Sequence, residues 1–273
     1  MSAGDPLITF LSDYGLADEF VGVCHGVIAR RAPEARVIDI AHGIPRQDVS
    51  AGAAALLAAV PFMPTATHLA IVDPGVGATG PSARRAVAIR TAQGSALVGP
   101  DNGLLMAACE HLGGAVEAVD IGSSPERLEP VSHTFHGRDV FAPVAGALAA
   151  GAELRALGQE IAPAELAPLA LLRAAVRDGA LHARVLRVDT FGNVILDARA
   201  ALLAELGAGA QLRVCVGAAR HAALAAHAFA DVAVGELMAY EDSSGLAALA
   251  VNLGSAAERL GARAGDELAI EAA

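Results

Sequence analysis

Aromatic residues are scarce in this chain, and their scarcity argues against one class of function. Tryptophan is absent, and aromatic residues make up 3% of the 273 residues. Proteins that hold single-stranded nucleic acid stack its bases on aromatic side chains. Basic residues are also in deficit, with 19 Lys and Arg against 30 Asp and Glu, which gives a formal net charge of -11. Because phosphate backbones bind to basic surfaces, we expect no nucleic-acid partner.

Long apolar runs are missing too, although hydrophobic residues make up 54% of the sequence. The longest candidate, Ala51 to Val60, stops at Pro61, whereas a membrane-spanning helix needs about 20 apolar residues. We therefore expect no membrane association. The three cysteines, Cys24, Cys109 and Cys215, are too few and too widely spaced for a disulfide framework or a thiolate zinc site. Together with an N-terminus that lacks a basic leader, they predict a cytoplasmic protein.

Short apolar segments alternate with helical periodicity in the first part of the chain. Residues 7–11, 37–40 and 68–72 have the composition of buried strands, and residues 17–32 and 48–60 have helical character. Strands that alternate with helices in this way predict an open α/β sheet with right-handed crossovers.

The pattern changes near residue 170, where short strands separated by Gly, Asp and Ser turns replace the helices. Leu181 to Val188 and Leu246 to Val251 are two of these strands. Such a run is typical of a small β-sandwich or barrel. We place an N-terminal α/β domain at residues 1–160, a linker at 161–175 and a C-terminal β domain at 176–273.

Acidic side chains follow two of the predicted parallel strands. Asp13 ends the first strand, and Asp73 ends the third, at the start of VDPGVG. Ligands of open α/β sheets bind outside the carboxyl ends of the strands, so both carboxylates are candidate site residues. The pair Arg84 and Arg85 comes shortly after and precedes another strand. Paired arginines on a loop are commonly solvated, but these could reach back over the sheet end.

The segment HTFHGRD, from His133 to Asp139, concentrates four titratable groups. In one interpretation His133 and His136 bind a metal, with a third ligand from elsewhere in the chain. In the other, one histidine faces a cleft as a hydrogen-bonding or acid–base group.

The short motifs GPDNG, DTFGN and DSSG are simpler to interpret. Asp101 and Asn102 are expected to cap the next helix, and the other two boxes to form turns.

Seven motifs stand in order along the chain: LSDYGLADEFVG, DIAHGIPRQD, VDPGVG, VGPDNGLL, FHGRDVFAP, VDTFGN and SSGLAALAVN. This ordered set resembles the S-adenosylmethionine (SAM) hydroxide adenosyltransferases, which are relatives of the fluorinases and chlorinases. The resemblance extends over about residues 8–257. It implies an N-terminal α/β/α sandwich with a mostly parallel sheet, followed by a smaller C-terminal β-barrel. It also implies a homotrimer whose active sites lie between one chain's N-terminal domain and a neighbour's C-terminal domain.

The reaction implied by the resemblance is hydrolysis of SAM to adenosine and L-methionine, with SAM as substrate and neither cofactor nor metal. By motif, the catalytic set is Asp73, Arg84 and His136. The loop before the arginines is about four residues longer than the family pattern (residues 79–82), so Arg85 is an alternative to Arg84. The implied substrate contacts are Asp13 to the ribose hydroxyls, Phe135 beside C5′, Asp189 to the methionine ammonium, Phe191 and Asn193 to adenine, Ser243 to the methionine carboxylate and Phe229 stacked on adenine.

Three positions bear on the choice between water and halide as nucleophile. Halogenating relatives have a tyrosine where this chain has Asp73, and they lack the histidine of FHGRD. A carboxylate repels a halide ion, so Asp73 favours water. Gln47, which stands where fluorinases have tryptophan, points the same way. Two other classes stay as alternatives: a metal-dependent hydrolase built on His133 and His136, and a non-catalytic protein that binds SAM or adenosine.

Overall fold

A computed structural model of the chain describes residues 6–80, 83–206 and 211–273. It divides into two compact units, the first ending at Leu169 and the second starting at Ala170. The strands of the first unit are β1 (Leu7–Ser12), β2 (Arg36–Ala41), β3 (Thr67–Ile71), β4 (Ala86–Thr91), β5 (Ala96–Pro100), β6 (Ala115–Asp120) and β7 (Gln159–Ile161). Its helices are α1 (Phe20–Arg31), α2 (Val49–Ala59), α3 (Met106–His111) and α4 (Ala142–Ala149).

The seven strands of the first unit form one sheet in the order β2-β1-β3-β5-β4-β6-β7. The pairs β1–β2, β1–β3 and β3–β5 are parallel, whereas β4, β6 and β7 join antiparallel. Every residue of β1, β3 and β5 is buried, as expected for parallel strands that helices cover on both faces. The parallel half of the sheet confirms the predicted α/β class.

Helices cover both faces of this sheet and complete the predicted sandwich. Helices α1 and α4 pack together over the face that carries Ile8 and Phe10. Helices α2 and α3 pack together on the other face, where Gly52 lies against Val72 and Leu104. Asp48 caps α2 as predicted, because its carboxylate accepts the backbone N–H of Ala51 at 2.9 Å.

The second unit is a closed β-barrel, which selects between the two β architectures that the sequence left open. Its strands are β8 (Ala175–Arg177), β9 (Ala180–Val188), β10 (Val194–Arg199), β11 (Gln211–Val216), β12 (Ala219–Ala225), β13 (Leu237–Glu241), β14 (Leu246–Val251) and β15 (Glu267–Ala272), with short helices α5 (Ala201–Ala204) and α6 (Ala256–Leu260). Seven strands pair in the order β10-β14-β13-β12-β11-β15-β9, and β9 pairs with β10 to close the ring. Strand β8 adds to β9 at the edge. The interior is aliphatic.

The predicted cap of α3 by the GPDNG box is wrong. The residue that precedes α3 is Leu105, which makes no side-chain capping bond. Asn102 accepts the backbone N–H of Leu104 at 3.2 Å, one residue before the cap position, and donates its side-chain amide to the Val72 carbonyl at 2.9 Å. Asp101 accepts the Ala167 N–H at 2.8 Å. The box therefore connects the end of β5 to the backbone at Val72 and Ala167.

No helix among the described residues has the length and apolarity that crossing a membrane requires.

Candidate active site

Arg84 contacts both of the other predicted catalytic side chains, Asp73 and His136. Asp73 follows β3, Arg84 precedes β4 and His136 precedes a π-helical turn at Gly137–Phe141. The Arg84 Nε donates to both Asp73 oxygens, at 2.9 and 3.1 Å, and Nη2 donates to Oδ2. The same Nη2 lies 3.0 Å from Nδ1 of His136. Arg84 therefore links the carboxylate to the imidazole.

The Asp73–Arg84 pair is largely shielded from solvent. The Asp73 side chain is 6% exposed and that of Arg84 is 11% exposed. The guanidinium also lies 5.3 Å from the centre of the Phe141 ring, within the range of a cation–π contact. A two-point ion pair in such surroundings has one preferred geometry, so these side chains form a rigid group.

The second arginine of the pair serves a different carboxylate. Arg85 Nε donates to Asp101 at 2.8 Å, and its guanidinium also contacts Glu165. Between the two alternatives that the sequence left open, the structure brings Arg84 and not Arg85 to Asp73. Within the lengthened loop before them, Pro81 and Ser82 lie outside the described residues.

The contact with Arg84 determines the proton position on His136. A guanidinium carries five N–H donors and no acceptor, so Nδ1 of His136 must accept. The imidazole is then neutral, with its proton on Nε2. Burial, reinforced by the adjacent Arg84, lowers the pKa of His136 below its ordinary value, which agrees with this neutral form.

The segment that carries His136 packs tightly on two other loops. A side chain at Gly137 would collide with the Tyr14 hydroxyl, and one at Gly77 with the His133 carbonyl. Gly77 also has a φ of 72°, which favours glycine. Such π-helical turns are rare and frequently mark functional sites. Close glycine contacts thus hold the His136 segment against LSDYG at Gly137 and against VDPGVG at Gly77.

An aromatic wall stands beside this group. Phe135 packs edge-on against Tyr14 and Phe20, with ring centroids 5.8 and 5.1 Å apart. Arg138 lies 5.2 Å from the centre of the Phe135 ring. Burial and the carboxylates of Asp13 and Asp73 raise the pKa of Tyr14. Tyr14 was not among the predicted site residues, although it stands in the LSDYG motif.

Asp13 lies at the same edge of the sheet as Asp73. Its backbone N–H donates to the Ile71 carbonyl at 3.3 Å, at the end of β3. One of its side-chain oxygens accepts the backbone N–H of Gln47 at 2.8 Å. The two acidic residues therefore follow adjacent parallel strands, as the sequence predicted.

In the second unit, the predicted contacts Asp189, Phe191 and Asn193 share one turn. One carboxylate oxygen of Asp189 accepts the N–H groups of Phe191 and Asn193 at 2.9 Å, and the other accepts the Asn193 amide at 2.8 Å. Asn193 is buried, whereas Phe191 is 79% exposed. This is the predicted Asx turn, and it displays an aromatic ring to solvent.

Tyr240 connects this turn to the remaining predicted contacts of the second unit. Phe229 is 44% exposed and packs on Tyr240 with centroids 5.6 Å apart. Burial and the nearby carboxylates of Asp189 and Asp242 raise the pKa of Tyr240. Ser243 is exposed in the turn that follows Asp242. Sequence reasoning missed Tyr240, whose signal was its place two residues before Asp242 of the DSSG turn.

The metal alternative built on HTFHGRD gains no geometric support. His133 is exposed, and Nδ1 of His136 is bound to Arg84. Across the described ranges, the one group of three or more His, Cys, Asp and Glu side chains with converging ligand atoms consists of His25, Asp39 and His42.

Comparison with known proteins identifies the family. The model of the SAM hydroxide adenosyltransferase N-terminal domain matches residues 8–158, and that of the C-terminal domain matches residues 183–269. The chain is 48% identical over 272 residues to a protein of Salinispora tropica named (R)-S-adenosyl-L-methionine hydrolase, covering 99% of both chains. A Thermus thermophilus protein of the same name is 41% identical, covering 94% of this chain and 96% of the relative. A fluorinase of Nocardia brasiliensis is 30% identical, covering 95% of both.

A solved structure agrees with these relationships. The crystal structure of a conserved protein from Thermotoga maritima superposes with a TM-score of 0.89 at 36% identity, covering 97% of this chain and 99% of that one. Both domain models match in order, and full-length relatives share nearly half of their residues with this chain. The chain belongs to the SAM hydroxide adenosyltransferase family.

Proposed function

We propose that this protein hydrolyses SAM to adenosine and L-methionine by attack of water on the ribose C5′ carbon. The observation that carries the proposal is the Asp73–Arg84–His136 group, assembled from separate loops at the carboxyl edge of the sheet. The relatives named as SAM hydrolases, which align over almost the whole chain, support the same reaction.

The chemistry asks more of the nucleophile than of the leaving group. The water oxygen forms a bond to C5′, the C5′–S bond breaks with its electron pair going to sulfur, and one proton is released. Methionine departs as a neutral thioether and needs no general acid. Catalysis then depends on holding one water about 3–3.5 Å from C5′ and in line with the C–S bond.

The three side chains are suited to orient that water. His136 presents an Nε2–H donor, because its Nδ1 accepts from Arg84. Asp73 keeps acceptor capacity, because each carboxylate oxygen offers two lone pairs and Oδ1 has a single bond from Arg84 Nε. A water between them would donate to Asp73 and accept from His136. We therefore assign both residues a positioning role, with Arg84 fixing their geometry.

The remaining contacts follow the same motifs. We assign Asp13 to the ribose hydroxyls and Phe135 to the wall beside C5′. In the second unit, Asp189 and Ser243 take the methionine ammonium and carboxylate. We assign Phe191, Asn193 and Phe229 to adenine. The exposed rings of Phe191 and Phe229 are consistent with surfaces that a ligand or a neighbouring chain covers.

We further propose that the active protein is a homotrimer in which the second unit of one chain completes the site on a neighbour's first unit. The reaction uses neither metal nor cofactor. A cytoplasmic location agrees with Cys24, Cys109 and Cys215, which are all free thiols.

The test is to incubate the purified protein with SAM, with or without excess chloride and EDTA, and to resolve the products by chromatography. Adenosine and methionine in equal amounts, unaffected by EDTA, are the expected result. A 5′-halogenated adenosine would show that Asp73 does not select water. Turnover that EDTA abolishes and added metal restores would favour the metal-dependent alternative.

Complementation tests the shared site. Asp73→Ala and Asn193→Ala are each expected to lose turnover, because each damages a different half of every site. Unfolding and refolding the two variants together should restore part of the activity, because mixed trimers contain some sites with both halves intact. A particle mass other than three times the 27.4 kDa chain, or no recovery on mixing, would contradict the trimer.

A further inference from the structure

A second cluster of ligating side chains lies outside the proposed catalytic group. His25 projects from α1, Asp39 belongs to β2 and His42 directly follows β2. Their ligand atoms all lie within 4.8 Å of one another. None of these residues has a part in the proposed hydrolysis.

The distances within the cluster match those between neighbouring ligands of one cation. Nε2 of His25 is hydrogen-bonded to Oδ1 of Asp39 at 2.8 Å, and Nε2 of His42 lies 3.0 Å from the same oxygen. A cation bound here would replace the proton that His25 and Asp39 share. Ligands at right angles around a metal ion, each about 2.0–2.2 Å from it, are separated by roughly 2.8–3.1 Å. Ligands at the wider tetrahedral angle that Zn²⁺ prefers are separated by roughly 3.3–3.6 Å. Side-chain shifts of less than about 1 Å would therefore let one cation bind between Asp39 and the two histidines.

His42 supplies a second and independent sign of a ligand. The residue is 5% exposed, and its Nε2 is a buried ring nitrogen without a hydrogen-bond partner among the described residues. It stands close to Asp39 but off the line that a hydrogen bond requires. Buried polar atoms are rarely left unsatisfied, because losing water without a replacement partner is costly. A cation in front of this nitrogen would satisfy it.

The other ring nitrogen of His42, Nδ1, has a hydrogen-bond partner, as is usual for a histidine that binds a metal. Nδ1 lies 2.8 Å from the Ser12 hydroxyl, and the ring packs edge-on against Phe10. When Nδ1–H donates to that hydroxyl, the lone pair of Nε2 faces the cluster. Metal-binding histidines almost always have such an outer partner, which fixes both tautomer and ring orientation.

The cluster is also accessible from solvent. The side chains of His25 and Asp39 are 35% and 43% exposed, and β2 is an edge strand of the sheet. Water can therefore fill the remaining coordination positions. Two imidazoles and one carboxylate suit a divalent first-row transition ion such as Zn²⁺. We propose that His25, Asp39 and His42 form a binding site for one such ion, which would fasten α1 and β2 to the end of β1.

Metal binding to the full chain tests this directly. Protein stripped with chelator and returned to buffer is titrated with Zn²⁺ against a chromophoric competitor, and with Co²⁺ by visible absorption. We expect one Zn²⁺ per chain and a Co²⁺ spectrum typical of nitrogen and oxygen ligands. Asp39→Asn keeps the shape of the side chain but not its charge, and it should weaken Zn²⁺ binding at least about tenfold.

Two matched controls separate this site from adventitious binding. His25→Ala should weaken binding like Asp39→Asn, whereas His111→Ala, an exposed histidine of the same unit, should leave it unchanged. Equal affinity in all variants, or no binding at micromolar Zn²⁺, would overturn the proposal. Circular dichroism of each stripped variant verifies that it is folded. Because the readout is metal binding and not turnover, its failure leaves the proposed hydrolase untouched.

Discussion

Arg84 donates one hydrogen bond from Nη2 to Nδ1 of His136, over 3.0 Å, while its Nε donates to Asp73. Because a guanidinium never accepts, this contact assigns the imidazole proton to Nε2. One arginine thereby decides which way the histidine presents its donor. The arrangement makes His136 unsuited to act as a base through Nε2 and suited to hold a water.

The first prediction concerns the acid limb of the pH profile. Burial and Arg84 lower the pKa of His136 from its ordinary value of 6.5. The value of kcat/KM should therefore stay flat above pH 6.5 and decline only at lower pH, where a proton on Nδ1 displaces Arg84. In His136→Gln the amide cannot titrate, so this limb should disappear. A decline centred above pH 6.5, or one that His136→Gln retains, would contradict the assignment.

The same shift has a consequence for stability, and its sign follows from proton counts. Between the lowered pKa and 6.5, the unfolded chain binds more protons at this position than the native chain does. The contribution of His136 is therefore complete above pH 6.5 and is lost as pH falls toward the native value. Urea unfolding of the protein and of His136→Gln across that range measures the difference.

The second prediction separates the two neighbouring arginines. Arg84→Lys keeps the charge but not the two-point fork, so His136 and Asp73 lose their common support. We expect kcat/KM to fall roughly 100-fold, the order of loss seen when one electrostatic contact is removed. Arg85→Lys is the matched control, because Arg85 pairs with Asp101. An equal loss of kcat/KM in the two variants would contradict the separate roles of Arg84 and Arg85.

The third prediction uses two glycines of the first unit. In Gly137→Ala the new methyl group meets the Tyr14 hydroxyl and Ile71, so the free energy of unfolding should fall by about 1–3 kcal/mol. Gly26→Ala lies within α1, where a methyl group meets nothing within 4 Å. That change should raise the stability by about 0.5–1 kcal/mol, because alanine favours helix. Denaturant unfolding of both variants measures the two opposite signs.

The fourth prediction tests the cap of α2. Asp48→Ala removes the acceptor for the Ala51 N–H, and the free energy of unfolding should drop by about 1 kcal/mol. Asp48→Asn retains an oxygen at the same place and should lose far less. If both variants lose the same amount, the stabilisation comes from charge near the helix start and not from the cap.

The fold was predictable where its signal was local. Buried strands such as β1 and β3 show as apolar runs, and Asp48 shows as a cap before an alanine-rich helix. Strand β12 was missed, because it is largely exposed and its Ala, His and Arg residues have no apolar alternation. Helix α4 was missed as well, since Pro143 and the π-helical turn before it obscure the start of the helical pattern.

The site was predictable in membership but not in its contacts. The motifs nominated Asp73, Arg84 and His136, yet nothing local decides between Arg84 and Arg85. That choice depends on two carboxylates that follow different strands. Asp73, after β3, binds Arg84, and Asp101, after β5, binds Arg85. The prediction that Asp101 caps a helix failed for a similar reason. Its partners, Arg85 and Ala167, are distant in sequence, so no local pattern indicates them.

The scarcity of aromatic residues has a practical consequence once the positions of the two tyrosines are known. The chain has no tryptophan, and its only tyrosines are Tyr14 and Tyr240, one in each unit. Each stands among the residues assigned to SAM. Intrinsic fluorescence should therefore come from two native optical probes, one per domain. When either tyrosine is replaced with phenylalanine, the fluorescence of the other reports SAM binding at its own domain.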